Sequence, residues 1–290
     1  MILVVGATGM VGGMIVDGLL DHGKRVRALV RSPEPAASLG ARGAETVLGD
    51  LKDRSSLDRV CAGVDVVITT ANSASRGGDD NPETVEEQGN RSLVDAARAA
   101  GVRHFVFTSA LGSALDSPVP FLRGKAIAEQ YLTASGLNYT ILMPNLFMEV
   151  WCPNIVGRAV LAGRPVTLLG EGKRQHSMIS AADVAAFAAA AAGNERACNR
   201  VLVLGGPQPI TWHDVVAAHE RALGRQNEIR YLPKGELLPG YPDFVSGFMN
   251  LLEDYDSVIP MDSLAQEFGV RQVTLEQSIQ RQLKAAASTA

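Results

Sequence analysis

The sequence predicts an α/β protein with a doubly wound parallel sheet and a small C-terminal region. Short β-branched runs alternate with helix-length segments over the first two thirds of the 290 residues. The runs are almost continuously apolar, which is typical of parallel strands covered by helices on both faces. A cluster of glycines directly follows the first run. The rhythm changes after Pro144, and the length leaves room for about two domains.

The apolar runs predict the strands of the sheet in order along the chain. They are Ile2–Val5, Arg25–Val30, Glu45–Leu48, Asp65–Thr69, His104–Thr108 and Tyr139–Leu142. The segments between these runs are long enough for helices and predict the connections of a parallel sheet. The predicted helices are Met10–His22, Ser55–Ala62, Thr84–Ala100 with a capping box from Thr84 to Glu87, and Leu122–Ser135.

The part of the chain after Pro144 predicts a mixed arrangement. Leu146–Gly163 has a helical pattern that contains Pro153. The predicted elements that follow are a strand at Ser177–Ile179, a helix at Ala181–Ala192 opened by Ser180 and Asp183, a strand at Val201–Leu204, a helix capped by Thr211 and Asp214, and a helical pattern through Phe244, Phe248, Leu251, Leu252 and Tyr255. We predict a core of residues 1–145 and 176–205, and a second region of residues 146–175 and 206–290.

Composition and charge exclude several functional classes. Lysine and arginine total 27 against 31 acidic residues, whereas nucleic-acid binding depends on cationic contacts to phosphate. The three cysteines are unclustered, and the sequence has no metal-ligand spacing. It also has no apolar segment of membrane-spanning length and no signal-peptide pattern. These features predict a cytoplasmic monomer or dimer with no metal, no nucleic-acid partner and no membrane contact.

The turn after the first strand has the pattern of a dinucleotide-binding loop. Gly6, Gly9 and Gly12 lie where the chain must turn sharply from a strand into a helix. Without side chains, the backbone can approach a pyrophosphate, and the helix N-terminus offers free N–H groups. In a Rossmann-type sheet the predicted cofactor contacts are Gly6, Thr8, Gly9, Met10, Val11 and Gly12. The alternative is a glycine turn with a purely structural role.

The end of the second strand predicts which dinucleotide binds. NAD enzymes usually carry Asp or Glu there, whereas this sequence has Arg31, 19 residues after Gly12. A guanidinium binds a 2′-phosphate through charge-assisted hydrogen bonds, so we predict NADPH. A solvated arginine at a strand end is the alternative. The ends of the third and fourth strands predict further cofactor contacts from Asp50, Leu51, Thr70, Ala71 and Asn72.

Five segments, in order, carry a family resemblance: GATGMVGG, RALVRS, GDL, FTSALGS and FLRGKAIAEQYLTASGLNYTILMPNLFM. Over about residues 1–195 they resemble the atypical short-chain dehydrogenase/reductases, and most closely the NmrA-like, NAD(P)H-binding family. The resemblance implies a Rossmann domain with a variable substrate region. It implies either reduction of ketones, quinones or enones, or redox sensing without catalysis. It also implies cofactor contacts from Pro144 and Asn145, although Met143 replaces the family's usual arginine.

The same resemblance implies catalytic residues. Reductases of the wider superfamily use a serine and a Tyr-x-x-x-Lys pair. Carried over, the lysine is Lys125 and the serine is Ser109, but the tyrosine position holds Phe121. Because Phe121 cannot donate a proton, we predict that Lys125 holds the cofactor while substrate or solvent supplies the proton. The alternatives are a solvated Lys125 paired with Glu129 at i,i+4, and a Ser109 that satisfies only the backbone.

Aromatic and sulfur-containing side chains predict the wall of a substrate pocket. Such side chains suit a flat apolar ligand. The predicted pocket residues are Phe121, Phe147, Met148, Trp151, His176, Phe244 and Phe248. Ordinary packing is the alternative interpretation of these side chains.

Together these features predict an NADPH-dependent reductase. It would transfer hydride to a ketone or quinone carbonyl of an apolar, polycyclic aromatic, polyketide-like substrate, as in antibiotic biosynthesis. Two alternatives stay open. One is an NmrA-like redox sensor that binds NADP(H) and a partner protein without catalysis. The other is an isomerase or epimerase that uses bound cofactor with no net consumption.

Overall fold

The strands form a parallel sheet in the order that the sequence predicts. A computed structural model describes residues 1–74 and 76–288. The strands are β1 (Ile2–Val5), β2 (Val26–Val30), β3 (Glu45–Leu48), β4 (Val66–Thr69), β5 (His104–Thr108), β6 (Tyr139–Pro144), β7 (Val166–Leu169), β8 (Arg200–Leu204) and β9 (Ile229–Leu232). One sheet has the order β3-β2-β1-β4-β5-β6-β8, and β7 pairs with β9. Neighbours from β3 to β6 are parallel, which confirms the doubly wound sheet.

Helices connect these strands, and most of the predicted ones lie within two residues of the observed boundaries. They are α1 (Met10–Asp21), α2 (Pro33–Ala41), α3 (Arg54–Cys61), α4 (Asn90–Ala99), α5 (Pro120–Ala134), α6 (Met148–Cys152), α7 (Arg158–Leu161), α8 (Ala181–Ala191), α9 (Trp212–Leu223), α10 (Asp243–Leu252), α11 (Asp262–Phe268) and α12 (Leu275–Ser288). Two π-helical segments, Pro82–Gly89 and Pro153–Gly157, lead into α4 and α7. The predicted cap of α9 is confirmed, because the Thr211 hydroxyl accepts the Asp214 N–H.

The middle of the sheet is buried on both faces. All residues of β1, β4 and β5 are buried. Leu3, Val67 and Phe105, from three adjacent strands, share one apolar core with side chains of α3, α4 and α5. The strand order reverses between β1 and β4, and a reversal of this kind opens a crevice at the carboxyl ends of the strands.

The segment before α4 differs from the prediction. The sequence predicts one α-helix over Thr84–Ala100 with Glu87 in its capping box, but the helix begins at Pro82 with a π-helical segment. Asn81 is the cap instead, since its side chain accepts the Thr84 N–H at 3.0 Å. In return the Thr84 hydroxyl accepts the Asn81 N–H at 3.1 Å. A proline suits this first turn because an N–H there would have no helical partner.

Four other local predictions were wrong or incomplete. α2 was not predicted because prolines usually break helices, yet both of its prolines lie in the first turn, where they are tolerated. The β7–β9 pair was not predicted either. In the proposed strand Ser177–Ile179, Ile179 forms one isolated bridge with Phe147, and no ladder forms. Tyr255 lies beyond the end of α10.

The chain divides into two compact units. The first comprises residues 1–144, 184–203 and 268–270, and the second comprises residues 145–183, 204–267 and those from 271 onward. Residues 176–183 were predicted to belong with the core, but they belong to the second unit. The reason is that the Ser177 and Ile179 N–H groups donate to the carbonyls of Ser257 and Leu146 within that unit.

The second unit has its own apolar core. Val156, Leu168 and Trp212 are each at most 1% exposed within it. Within residues 1–74 and 76–288, no helix combines the length and the apolar character needed to cross a membrane.

Candidate active site

The turn after β1 requires glycine at two positions. Gly6 has a φ of +88°, and a Cβ on it would lie 2.6 Å from the Thr70 hydroxyl. A Cβ on Gly12 would lie 2.0 Å from the Gly6 carbonyl oxygen, so α1 packs directly on the turn. The Gly9 N–H donates to the Gly6 carbonyl at 2.9 Å and closes the turn. These close approaches leave no room for side chains, as a pyrophosphate-binding turn demands.

The start of α1 is suited to an anion. Its cap, Gly9, has no side chain to bond the first N–H groups, and the first turn contains no acidic residue. Thr8 and Met10 are exposed at this helix end. Free N–H groups and the helix dipole together attract phosphate. The residues present therefore fit the pyrophosphate of a dinucleotide.

The end of β4 lies against the same turn. Thr70 is nearly buried, and its hydroxyl lies 3.5 Å from the Gly6 carbonyl oxygen. Ala71 points its carbonyl at Lys125. Asn72 donates from its side-chain amide to the Thr70 carbonyl at 3.2 Å. The predicted residues Thr70, Ala71 and Asn72 thus do adjoin the glycine turn.

Arg31 belongs to a cluster of cations around one carboxylate. Arg31 and Lys52 each hold an Asp80 oxygen at 2.6 Å, and Arg76 lies 3.8 Å away. The hydrogen bonds from Lys52 and Arg31 lower the pKa of Asp80. Arg31, Lys52 and Arg76 therefore surround one carboxylate next to the end of β2. Asp50 also acts on this cluster, since its charge helps to raise the pKa of Lys52.

The structure gives two of the predicted cofactor residues local structural roles. The Asp50 carboxylate accepts the Lys52 N–H at 2.8 Å and closes its own turn. The Leu51 side chain is 7% exposed and packs in the core of the first unit. A Cβ on Gly89 would lie 2.8 Å from Leu51 Cγ. Any contact of Leu51 with a cofactor would therefore involve its backbone.

Lys125 is a buried cation at the carboxyl end of the sheet. It is 2% exposed, so the alternative of a solvated helix lysine is wrong. Its ammonium donates to the carbonyls of Thr108 at 3.1 Å and Ala71 at 3.3 Å. It also lies 5.0 Å from the Phe107 ring and 5.6 Å from the Phe121 ring. Burial lowers its pKa to about 8. An ammonium has three donors, and the two carbonyls leave one of them for a ligand.

Two carboxylates near Lys125 were not predicted to be functional. Glu86, on the Pro82–Gly89 segment, is fully buried. One of its oxygens accepts the Ser73 N–H at 2.7 Å, and the other has no hydrogen-bond partner among the described residues. Glu86 and Glu129 both favour the charged form of Lys125. The position of Glu129 one turn after Lys125 was the signal in the sequence; nothing there marked Glu86.

Ser109 lies directly after β5, as predicted. Its hydroxyl contacts the Glu129 carboxylate and lies 3.1 Å from the Ser113 hydroxyl. The alternative, that this hydroxyl satisfies only backbone groups, is therefore wrong. Phe121, Lys125 and Ser109 all belong to the first unit, and the ring at the tyrosine position does face the lysine.

The predicted pocket residues of the second unit differ in burial. Met148 is 1% exposed within its core, where it serves packing. Trp151 and Phe248 stack with ring centroids 4.8 Å apart. Phe244 is 75% exposed, and Phe147 precedes α6 with partial exposure. Their contact with a substrate stays a prediction.

The polar residues of the second unit are engaged locally. His176 is fully buried, its Nδ1 lies 2.8 Å from the Ser257 hydroxyl, and burial lowers its pKa. Asn145 donates to the same hydroxyl at 3.0 Å. Pro144 ends β6 and accepts the Leu111 N–H at 3.0 Å in the first unit. In the described part of the chain, no group of three or more His, Cys, Asp or Glu side chains is placed to hold a metal ion.

The fold and the glycine turn define a Rossmann-type dinucleotide-binding protein. The chain belongs to the NmrA-like family, whose model matches residues 1–283, and the resemblance seen in the sequence is confirmed.

Comparison with known proteins gives relatives with different names. The chain is 35% identical over 235 residues to the NAD(P)H azoreductase of Xenophilus azovorans, covering 80% of this chain and 76% of that protein. It is 34% identical over 236 residues to the Photosystem II assembly factor Ycf39 of Cyanophora paradoxa, covering 80% and 71%. Its fold is similar to that of an NADPH-dependent quinone oxidoreductase from Escherichia coli, complexed with NADPH, with a TM-score of 0.79, 24% identity and coverage of 98% and 100%.

Replacing Gly12 by alanine tests the close packing of α1 on the turn. We expect Gly12→Ala to abolish dinucleotide binding and to lower the free energy of unfolding, because its Cβ would overlap the Gly6 carbonyl. Gly18→Ala is the matched control in the same helix, where a Cβ meets nothing within 4 Å. It should raise the free energy of unfolding by about 0.5–1 kcal/mol. Urea denaturation and NADPH titration check both. Unchanged NADPH affinity in Gly12→Ala would contradict the assignment.

Proposed function

We propose that the chain is an NADPH-dependent reductase of a small apolar molecule. One arrangement carries this proposal: the glycine turn, the cation cluster and buried Lys125 all belong to the carboxyl-end edge of one sheet, in one compact unit. Ligands of open α/β sheets bind at this edge, where the strand order reverses. The names of the azoreductase and quinone oxidoreductase relatives support the same reaction class.

The proposed choice of NADPH over NADH rests on Arg31 and its neighbours. Only NADPH carries a 2′-phosphate, and a guanidinium can bind it through charge-assisted hydrogen bonds. Asp80 holds Arg31 and Lys52 at 2.6 Å each, so a cluster suited to anionic oxygens is preformed. We propose that the 2′-phosphate takes over these bonds from the Asp80 carboxylate.

We propose that Lys125 positions the nicotinamide ribose and stabilises negative charge near it. Its third donor is available for a ribose hydroxyl, while the carbonyls of Ala71 and Thr108 fix the ammonium. When bound, the reduced nicotinamide supplies a hydride. A fixed cation near the developing oxyanion lowers the barrier without reorganising during the reaction.

The proposed substrate is a ketone or quinone on an apolar, polycyclic aromatic, polyketide-like skeleton. Phe121 has no hydroxyl, so the proton comes from solvent, from another side chain or from a phenol beside the carbonyl of such a substrate. The aromatic side chains of the second unit, among them Trp151 and the exposed Phe244, suit flat ligands. Azo compounds belong in the same test, because an azoreductase is among the relatives.

A second candidate function is an NADP(H)-binding regulatory protein without catalysis. Phe121 in the tyrosine position favours it. A relative named as an assembly factor for photosystem II favours it as well. Such a protein would bind NADPH tightly and never consume it.

Cofactor choice is tested by replacing Arg31. We expect Arg31→Ala to weaken NADPH binding about 10- to 100-fold and to leave NADH binding unchanged. This loss of affinity corresponds to the loss of one or two charge-assisted hydrogen bonds. Fluorescence titration with both cofactors measures this. Arg98→Ala is the control, since Arg98 is an exposed arginine of the same unit, away from the cluster. Equal losses for NADPH and NADH would contradict recognition of the 2′-phosphate.

Catalysis is tested by NADPH oxidation against quinones, hydroxylated polycyclic ketones and an azo dye. We expect turnover with at least one of them. Lys125→Met should lower kcat about 100-fold or more, since it removes a fixed charge from the reacting centre. Lys173→Met, at an exposed lysine, is the matched control and should behave as the wild type. Tight NADPH binding without turnover of any acceptor would favour the regulatory function instead.

A further inference from the structure

Three side chains after β5 and on α5 form a continuous hydrogen-bonded chain. Glu129 contacts the Ser109 hydroxyl, which lies 3.1 Å from the Ser113 hydroxyl. Ser113 in turn lies 2.7 Å from the Ala110 carbonyl oxygen. Ser109 is 5% exposed, whereas Glu129 is only partly buried. The series of hydrogen-bonded groups therefore leads from a partly exposed carboxyl to a buried hydroxyl.

The number of hydrogens determines the direction of these bonds. A hydroxyl has one hydrogen to donate, and a carbonyl oxygen only accepts. Ser113 gives its hydrogen to the Ala110 carbonyl. When Glu129 is a carboxylate, Ser109 donates to it, and the 3.1 Å contact between the two hydroxyls carries no hydrogen. When Glu129 is protonated, it can donate to Ser109 while Ser109 donates to Ser113, so all three bonds form together only in that state.

The surroundings of Glu129 favour the protonated form. Burial raises its pKa, against the opposing effects of Ser109, Ser113 and Lys125. The same helix carries two cations, Lys125 and Arg123; Lys125 acts on Glu129, whereas Arg123 donates to the Ser117 carbonyl at 3.1 Å. The Pro82–Gly89 segment packs against α5 and brings Glu86, whose charge acts on Lys125.

The Pro82–Gly89 segment also carries Glu83 and Glu87, and α4, which packs against α5 as well, carries Arg91, Asp95 and Arg98. Asp95 accepts a hydrogen bond from the Tyr131 hydroxyl at 2.8 Å, and Arg91 lies over the Tyr131 ring. Both act on a tyrosine half a turn beyond Glu129 along the helix, and neither pairs with the carboxyl itself.

We propose that Glu129 is the internal proton donor that stands in for the missing tyrosine, passing its proton through Ser109 to the reduced substrate. This inference rests on the proposed reductase function. Ser109 follows β5, directly after Thr108, whose carbonyl holds the Lys125 ammonium. A hydroxyl there is placed to face a carbonyl bound at the same edge of the sheet.

The proton and electron balance of the step is complete. Hydride addition, with NADPH as the reductant, forms a carbon–hydrogen bond, and the π pair of the carbonyl becomes a lone pair on oxygen. Ser109 gives its proton to that oxygen while Glu129 gives its own proton to Ser109. Glu129 is left as a carboxylate, which takes a proton from water because its side chain is partly exposed.

The protonation state of Glu129 can be measured without turnover. In protein labelled with ¹³C at glutamate carboxyls, we expect one resonance to titrate above the ordinary pKa of glutamate and to be absent from Glu129→Gln. Ser109→Ala should shift that titration, while Glu195→Gln, at an exposed glutamate, should not. If the Glu129 carboxyl titrates at an ordinary value, the proposal is wrong, whatever the enzyme does.

Kinetics test the proton path, with menadione as the acceptor and NADPH as the reductant. In the wild type, kcat should fall as pH rises through the pKa of Glu129, because the donor form is lost. Glu129→Gln should lower kcat about 100-fold at low pH and flatten this dependence, with NADPH affinity unchanged. Glu129→Asp should restore the pH dependence in part. A Glu129→Gln enzyme with the wild-type kcat and profile would overturn the proposal.

The two measurements separate the possible failures. If the wild type oxidises no NADPH with any acceptor, the proposed function fails, and the carboxyl titration still decides whether Glu129 holds a proton. If Glu129→Gln does not fold, as judged by circular dichroism and NADPH binding, Ser109→Ala takes its place. That variant breaks the path one step later and should flatten the same pH profile.

Discussion

The burial of one ammonium group fixes the geometry of the first unit's reactive edge. Lys125 projects from α5 to the carbonyls of Ala71 and Thr108, which follow β4 and end β5. Burying an ammonium costs free energy unless its donors are hydrogen-bonded. These bonds therefore fix the position of the helix relative to the two strand ends. The cost lowers the pKa of Lys125 to about 8. The charge of Glu86 opposes that change, and so does Glu129 when it is ionised.

The other residues of the candidate site lie at the same carboxyl-end edge of the sheet. α5 approaches the Pro82–Gly89 segment closely, since a Cβ on Gly124 would lie 2.8 Å from Glu86 Cβ. Glu86 also accepts the Ser73 N–H, so it ties the chain after β4 to the helix that carries Lys125. On the other side of β4, Thr70 and the Gly6 turn are in contact. The glycine turn and the buried cation are therefore connected through β4.

The parts of this site that could be predicted from the sequence are those determined by local geometry. Gly6 and Gly12 follow from the needs of a strand–turn–helix, and Arg31 follows from its place at a strand end. Lys125 came from a family resemblance. The cation cluster was only partly visible, because Asp80 lies 49 residues from Arg31 and 28 from Lys52.

Other parts depend on tertiary packing, which no local pattern contains. Ser109 and Glu129 are 20 residues apart in the sequence, and their side chains come into contact only when α5 packs on the sheet. The sequence pattern from Thr84 onward predicts an ordinary α-helix, so the π-helical segment that carries Glu86 was not predicted. Residues 176–183, predicted as a short strand and the start of a helix of the core, belong to the second unit, where their backbone bonds lie.

The titration of Lys125 tests most directly whether its ammonium is buried at the cofactor-binding edge of the sheet. Lysine ε-carbons labelled with ¹³C, with the Lys125 signal assigned from Lys125→Arg, would be followed by NMR against pH in the free protein and with NADPH. We expect a pKa of about 8 in the free protein, and a signal that moves when NADPH binds. A lysine that titrates near 10.5 and ignores NADPH would contradict this expectation.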